Sequence, residues 1–415
     1  MESAILRRRN ERILNPKKAS IEDSSVDASE DGDDPPRYTV DLSLPPRKRY
    51  QHIVVDFKSQ IATLPVLFDE VVKDLRANAP VERVRWLSRL LLRRVYNKEE
   101  NEELRGIQEA TGIEMYLLVA FNVLLDLFMG CTSGAVRVKD DDKNTKMLHF
   151  RTLDWGMNAL REVIVHLDFV EKPGGDVIAS SITYVGYVGV LTGVRKGLSL
   201  SLNFRPNHDD SGRLSNFRFY FHHLLVLLGF QPSISSLLRG YLLPNLSSNT
   251  SRTNAPALDS IKRDLPNFKT TAAYLIFSDG DDTLTIEKDH QTAVIRSAND
   301  FIVATNHDLA AESTTQSLKA THKDSFKTLL DGIVVESIDR RNTAVKLWEK
   351  SMERAKRNSS KKPRTHEQDL TKNSIIRWMD TYPILNEETH FATVMDPKDG
   401  KVVWIKRYIE AVEDN

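Results

Sequence analysis

The chain has 415 residues, with 58 Lys plus Arg balanced by 58 Asp plus Glu, 40% hydrophobic residues and 28% charged ones. That is the make-up of a globular protein with a large core, and zero formal charge excludes a protein that holds nucleic acid by bulk electrostatics. A lone cysteine, Cys131, excludes an intrachain disulfide framework and leaves a small buried hydrophobe or a reactive thiol as its two readings.

Residues 1–36 are polar, with an acidic, Ser-rich centre and Pro35-Pro36 at the end. Such a segment buries too little apolar surface to offset its ordering entropy, so a disordered tail is expected, with Arg7–Arg9 as solvated charges or a targeting signal. The first residues show no apolar core followed by a cleavage site. The most apolar run, Met115–Gly130, is interrupted by Asn122 and Asp126. No secretory signal and no membrane span are therefore expected, and the cysteine count fits a cytoplasmic address.

Tyr38–Leu44 alternates as an extended piece and Pro45-Pro46 stops it. Apolar spacing then predicts helices over Tyr50–Asn78, from Pro80 through Val95, and over Asn101–Phe128 with Gly106 and Gly112 as breaks. At Gly130 the pattern changes to strands: Cys131–Val138, Met147–Arg151, Val163–Phe169, Val177–Tyr184 and Leu198–Phe204. Phe217–Leu243 reads as helix broken at Pro232, and 245–266 as a loop. Tyr274–Phe277 and Thr283–Glu287 form a hairpin, and Val294–Ser297 and Phe301–Thr305 continue its sheet. Helices are expected at 313–330, 339–357 and 368–380, a basic loop at Lys361–Glu367, and strands at 389–395 and 401–408. No internal repeat is present, and the order predicts stacked layers of helix and antiparallel sheet.

A cysteine opening a strand after an apolar helix, with Arg151 and Asp154 on the paired strand, makes a compact polar set. On spacing alone a small cysteine between helix and strand is usually packing, and the Arg151–Asp154 pair also reads as an ordinary cross-strand or loop ion pair. His222-His223 lies on an apolar helix, and adjacent side chains do not share a helix face, which favours a helix-surface role over a metal pair. Asp279–Asp282 and Asp140–Asp142 read as turns, since neither carries the downstream glutamate of a calcium loop. Asn245-Leu246-Ser247 and Asn249-Thr250-Ser251 fit the glycosylation pattern.

Seven pieces in register resemble the acid ceramidase and N-acylethanolamine acid amidase family, within the cholylglycine-hydrolase-like N-terminal nucleophile hydrolases. Pro36–Pro46 resembles the opening of the family's small chain, Cys131-Thr132-Ser133 its nucleophile motif, and Arg151-Thr152-Leu153-Asp154 its Arg-Asn-Met/Leu-Asp strand. Gly186–Gly193 is close to its glycine stretch, and Thr305-Asn306-His307-Asp308 to its Thr-Asn-Tyr-Asp. Asp339–Ala344 resembles its Asp-Arg-Arg-Thr-x-Ala, and Tyr382–Asn386 its Lys-Pro-Val-Leu-Asn. The match spans about residues 36–410.

The resemblance implies an α+β, four-layer αββα sandwich with a helical N-terminal segment. It divides the chain into a tail (1–36), a small chain (37–130) and a hydrolase domain (131–415), cut autoproteolytically before Cys131. It implies Cys131 as nucleophile, with its freed amine as its own base. Asp154 is to orient that amine, Arg151 to stabilise charge beside the thiol, and Asn306 to give an oxyanion-hole donor. One of Arg340 and Arg341 completes the set, and Arg341 is favoured. No cofactor or metal is required. The expected partners are a lipid amide substrate, the two chains of the cleaved precursor and a membrane surface touched peripherally, with no nucleic acid.

The function implied is hydrolysis of ceramide to a fatty acid and a sphingoid base. The rivals are an amidase for N-acylethanolamines or other N-acyl amines, and a non-catalytic lipid-binding member. The Leu- and Phe-rich helices at 115–129 and 217–243 either build an acyl channel or fill the core. The chain departs from the family pattern in lacking disulfide cysteines, in carrying His307 where Tyr is usual, and in its loose similarity over 205–268.

Overall fold

The computed structural model describes residues 34–75, 80–124, 129–139, 144–209, 212–243, 256–312, 325–359 and 370–412. The tail before residue 34, the Asp140–Asp142 turn, both glycosylation-pattern asparagines and the 361–367 loop lie outside these residues.

The N-terminal part gives strand β1 (Arg37–Asp41) and helices α1 (Gln51–Asp56), α2 (Lys58–Ile61), α3 (Leu64–Leu75), α4 (Val81–Leu91), α5 (Lys98–Thr111) and α6 (Met115–Leu124). The single helix expected over Tyr50–Asn78 is thus three, turning at Phe57 and around Ala62. The Asn97 side chain caps α5 by accepting from the Glu99 and Glu100 amides, and Gly112 ends it at φ 77°, where only a residue without Cβ is unstrained. Gly106, expected as a break, lies inside α5. A Cβ there would stand 1.9 Å from the Arg47 carbonyl oxygen, so the glycine is set by close approach of backbone.

Two sheets follow. The first orders its strands as β1, β4 (Ile164–Val170), β5 (Val177–Tyr184), β6 (Thr192–Arg195), β7 (Leu198–Phe204), β8 (Ala273–Ser278), β9 (Thr283–Lys288) and β10 (Ala293–Ala298). The second orders β11 (Phe301–Ala304), β2 (Gly130–Lys139), β3 (Thr145–Asp154), β12 (Thr389–Asp396) and β13 (Lys401–Arg407). Only β1 on β4 is parallel. The expectation that β10 and β11 extend one sheet is corrected, since β11 crosses to pair with β2. This crossing carries the residues after β11 to the end of β2.

The remaining helices are α7 (Ser215–Leu227), α8 (Ile234–Leu242), α9 (Leu258–Asp264), α10 (Ser325–Ser359) and α11 (Lys372–Met379). Of the helix expected over 313–330, residues 313–324 lie outside the described residues; from Ser325 on, that helix and the one expected over 339–357 are the single α10, because no proline interrupts the stretch. The layers read helix, sheet, sheet, helix. α10 and α11 cover the five-stranded sheet, while α8 and the N-terminal helices cover the other. Among the described residues no helix is long and apolar enough to cross a membrane.

Most of the apolar core lies outside the pair of sheets, against the helices. Between the sheets the contacts are partly polar: both ring nitrogens of His149 meet serine hydroxyls, Ser199 and Ser201, at 2.9 Å, and Ser133 donates to Asn203 at 2.7 Å. Burial holds His149 at about 3, so the ring is neutral there. The N-terminal segment is tied to the rest by a buried ion cluster. Glu103 of α5 accepts from Arg49 at 3.0 Å and from Arg239 of α8 at 2.7 Å, and Arg239 also donates to the Val188 carbonyl at 2.8 Å.

A mid-helix glycine ordinarily costs about 1 kcal/mol against alanine. Here Gly106→Ala is expected to destabilise instead, by about 1–3 kcal/mol, because a backbone carbonyl cannot rotate away. Urea unfolding checks this, and a midpoint unchanged or raised contradicts it.

Candidate active site

Strands β2 and β3 pair with Gly130 opposite Asp154, Cys131 opposite Leu153 and Ser133 opposite Arg151. Side-chain alternation then sorts the polar groups. Cys131, Ser133, His149 and Arg151 face the other sheet. Asp154 is on the opposite face, beside Gly130 and the α10 residue Arg340.

The Cys131 thiol is fully buried. Arg151 donates to its Sγ at 3.3 Å through Nη2 and to the Leu191 carbonyl, in the glycine stretch, through Nη1. Burial pushes the thiol up, and the Arg151 guanidinium opposes that shift.

Asn306 follows β11, and its side chain embraces the Gly130–Cys131 peptide. Its Oδ1 accepts from the Cys131 N–H at 2.8 Å and from Arg340 Nη2 at 2.7 Å. Its Nδ2 donates to the Met129 carbonyl at 3.0 Å and the Phe204 carbonyl at 2.8 Å. Two donors facing one side and two acceptors facing the other fix which end of the amide is which.

Asp154 is buried and accepts from Thr389 Oγ1 at 2.7 Å through Oδ1, while the Asn386 N–H holds the same hydroxyl at 3.0 Å. The Tyr382–Asn386 motif thus acts by aiming Thr389. Oδ2 has no hydrogen-bond donor in range among the described residues, and Arg340 Nε stands 3.9 Å away. A Cβ placed on Gly130 would lie 3.5 Å from that oxygen. Burial pushes Asp154 up to about 6, although Arg340 and the Thr389 hydroxyl pull it down.

The structure therefore brings together Cys131, Arg151, Asp154 and Asn306. It does not bring Arg341. That arginine is half-buried and donates to Glu312 at 2.9 Å, away from the thiol, and Arg340 takes the inner place. The correction has a legible cause. Ile333, Ser337, Arg340 and Ala344 are all buried, and their spacing of four, three and four makes one face of α10. Thr389 and Ser337 were missed, and no sequence feature marks them as polar site residues.

His222 corrects the helix-surface reading: it is buried, with its ring 4.7 Å from that of His290. His223 stays on the helix, within 2.9 Å of the Phe219 carbonyl. The Asp279–Asp282 segment is a turn closed on Asp279 Oδ1 by the Asp281 and Asp282 amides. Among the described residues no three His, Cys, Asp or Glu side chains could hold a metal ion.

A four-layer αββα sandwich with a cysteine at the first positions of an inner strand is the architecture of N-terminal nucleophile hydrolases. The sequence model for the beta subunit of N-acylethanolamine-hydrolyzing acid amidase matches residues 33–96. The chain is 27% identical over 378 residues to the N-acylethanolamine-hydrolyzing acid amidase of Caenorhabditis elegans, covering 88% of this chain and 90% of that one. It is 29% identical over 185 residues to the acid ceramidase of Heterocephalus glaber, covering 41% of this chain and 45% of that one. The solved structure of the Caenorhabditis elegans N-acylethanolamine-hydrolyzing acid amidase ortholog aligns with a TM-score of 0.43 at 21% identity, over 65% of this chain and 93% of that one. The chain is thus similar over nearly its full length to one member of the acid ceramidase and N-acylethanolamine acid amidase family, and over its beginning to that family's beta-subunit model.

Arg340→Ala is expected to lower kcat at least about tenfold more than Arg341→Ala, since only the first leaves the Asn306 amide and the Asp154 carboxylate without their buried cation. Steady-state kinetics on one N-acyl amine decides it, and equal losses would return Arg341 to the site.

Proposed function

We propose that this chain is a lipid amidase that matures by cutting its own Gly130–Cys131 bond. The observation that carries the reading is the Asn306 side chain, which accepts from the N–H of that peptide and donates to the carbonyl of the peptide before it, while Arg151 donates to the Cys131 thiol. In the first step the thiol adds to the Gly130 carbonyl, the Cys131 nitrogen leaves as an amine, and water hydrolyses the thioester. The new amine, with a pKa of about 8, is then the base for its own thiol. It lies within reach of Asn306 Oδ1, and departure of Gly130 opens the side on which Asp154 Oδ2 waits. Departure of Met129 takes away one acceptor of Asn306 Nδ2, which frees an N–H for the oxyanion of a substrate. The thiolate attacks the amide carbonyl, the amine leaves, and water releases the fatty acid.

The acyl chain has a place to lie. A cavity of about 270 Å³ is lined by Leu64, Leu67, Leu117, Ala120, Trp155 and Met157, among other apolar residues. Trp155 directly follows Asp154 and Met157 stands two residues further on, so the chain leaving the site builds part of the cavity wall. The position of α6 supports both sequence readings: Leu118 and Val119 are buried in the core, and Leu117, Ala120, Phe121 and Leu124 line the cavity. Leu87 of α4 lines it too and is exposed. Trp86 and Leu90 on α4, and Phe217, Tyr220, Phe221 and Leu224 on α7, are exposed beside it, an apolar surface suited to resting on a bilayer where the substrate resides.

One apolar cavity suits one acyl chain. That favours an N-acylethanolamine or similar N-acyl amine, whose amine part is small. Ceramide, placed first by the sequence, is the second reading, with its other chain along the exposed surface. A head-to-head assay of N-palmitoylethanolamine and ceramide decides between them. Ala120→Leu is expected to raise KM for a sixteen-carbon amide several-fold and leave a short-chain amide nearly unchanged; equal effects on both would remove the cavity from the acyl path.

Cys131→Ala is expected to abolish cutting and turnover together. The wild type should give pieces of 130 and 285 residues, the larger beginning at Cys131. Intact mass and N-terminal sequencing read this, and a wild-type chain fully active at 415 residues would sink the proposal.

A further inference from the structure

We infer that His307 is a positioning residue for Asn306, acting through Ser337 and held by Glu312, and that its neutral ring is the form that keeps the site assembled. The inference rests on the amidase reading above. It starts from a chain of contacts that the proposed chemistry leaves unused. Glu312 Oε1 is 2.9 Å from His307 Nε2, and His307 Nδ1 is 2.7 Å from Ser337 Oγ. Ser337 Oγ in turn accepts from the Asn306 backbone N–H at 2.5 Å. Serine, histidine and the Asn306 backbone are all buried; Glu312 alone reaches the surface.

The donors can be assigned. A carboxylate only accepts, so Nε2 carries hydrogen toward Glu312. In a neutral ring Nδ1 is then an acceptor and takes the Ser337 hydroxyl hydrogen. That leaves the lone pairs of Ser337 Oγ turned to the Asn306 N–H. Protonation of the ring puts a second hydrogen on Nδ1. The serine hydrogen is then left to Thr305 Oγ1, 2.8 Å away, which itself donates to the Ser337 carbonyl at 3.0 Å and lies 3.1 Å from His307 Nδ1. The serine oxygen can accept from both His307 and Asn306, but it now shares its two lone pairs with a charged donor. The hydrogen bond that holds the Asn306 backbone weakens, and with it the hold on the strand end that carries the side chain.

The surroundings set where this happens. Glu312 favours the charged ring, and Arg340 and Arg341 on α10 oppose it. Glu287 of β9 and Arg296 of β10, themselves paired, line the small cavity that His307 faces. Tyr274 of β8 lines it as well and donates to Asp308, which Arg205 also engages. Burial dominates and holds His307 below the ordinary imidazole value. The ring is therefore neutral through the neutral range, and its protonation lowers activity as pH drops past that depressed value, separately from the loss caused by protonating the Asp154 carboxylate, which burial holds up at about 6.

The experiment is a set of pH profiles of kcat and KM on N-palmitoylethanolamine, with processed enzyme. His307→Asn keeps an acceptor near the Nδ1 position but cannot take a proton. It is expected to retain kcat at neutral pH within a few-fold and to lose the His307 step of the acid limb, leaving the step of the Asp154 carboxylate. Ser337→Ala and His307→Leu should lower kcat about tenfold to a hundredfold at every pH with KM little changed, the size of effect that a displaced catalytic group gives. Glu312→Gln removes the charge that favours the imidazolium, so its acid limb should move to lower pH. A residue that merely packs would not produce these opposed shifts. An acid limb unchanged in both His307→Asn and Glu312→Gln overturns the inference.

A second readout does not need activity. In the Cys131→Ala chain with 15N-Asn and 13C-His labels, the Asn306 amide resonance should titrate with the His307 ring and share its midpoint. An Asn306 amide that stays still while the ring titrates overturns the relay even if the amidase reading stands. A wild-type chain that cleaves no N-acyl amine overturns the amidase reading, and this titration then decides the relay.

Discussion

One side-chain amide holds the centre of this molecule. Asn306 makes hydrogen bonds to Cys131, Arg340, Met129 and Phe204, and so joins the ends of β2 and β7 to the middle of α10. It reaches that position because the chain leaves one sheet after β10 and enters the other as β11. A buried amide must satisfy both its ends, and only this crossing supplies acceptors on one side and donors on the other. The placement of the thiol, the carboxylate and the arginines follows from it.

Strand alternation then divides the chemistry. The thiol and Arg151 lie between the sheets, in a layer that also holds serines and a neutral histidine. Asp154 lies on the helix side with Arg340. The two faces meet only at the backbone of Gly130 and Cys131. A charge opposed to the thiol is thus kept on the far face of its strand, while the nitrogen between them is open to both. Trp155, the residue after β3, lines the apolar cavity, so the strand that carries Asp154 also supplies part of the cavity wall.

Much of this was legible in the residues. The strands on either side of Gly130, the helix pair broken at Pro232 and the Asp279–Asp282 turn follow from alternation and breakers, which are local signals. The choice between Arg340 and Arg341 was open to helical periodicity, through Ser337 and Ala344, but motif position alone pointed to the wrong neighbour. Thr389 and the β10-to-β11 crossing could not be read, because partners some two hundred residues apart leave no local trace. The three-way split of the first helix follows tertiary packing against β1 and α5, which overrides propensity.

The ion cluster of Arg49, Glu103 and Arg239 has a consequence for the molecule's lifetime. Arg49 and Glu103 belong to the part before Gly130, and Arg239 to the part after it. A chain cut there would remain one body, held by β1 on β4 and by charges that are costly to separate once buried. Its unfolding, however, would also be a dissociation. Recovery would require two strangers to find each other, at a rate set by their dilution, whereas the uncut chain folds with its halves tethered. Such an enzyme persists by the height of the barrier to its first unfolding and has little claim on a second chance.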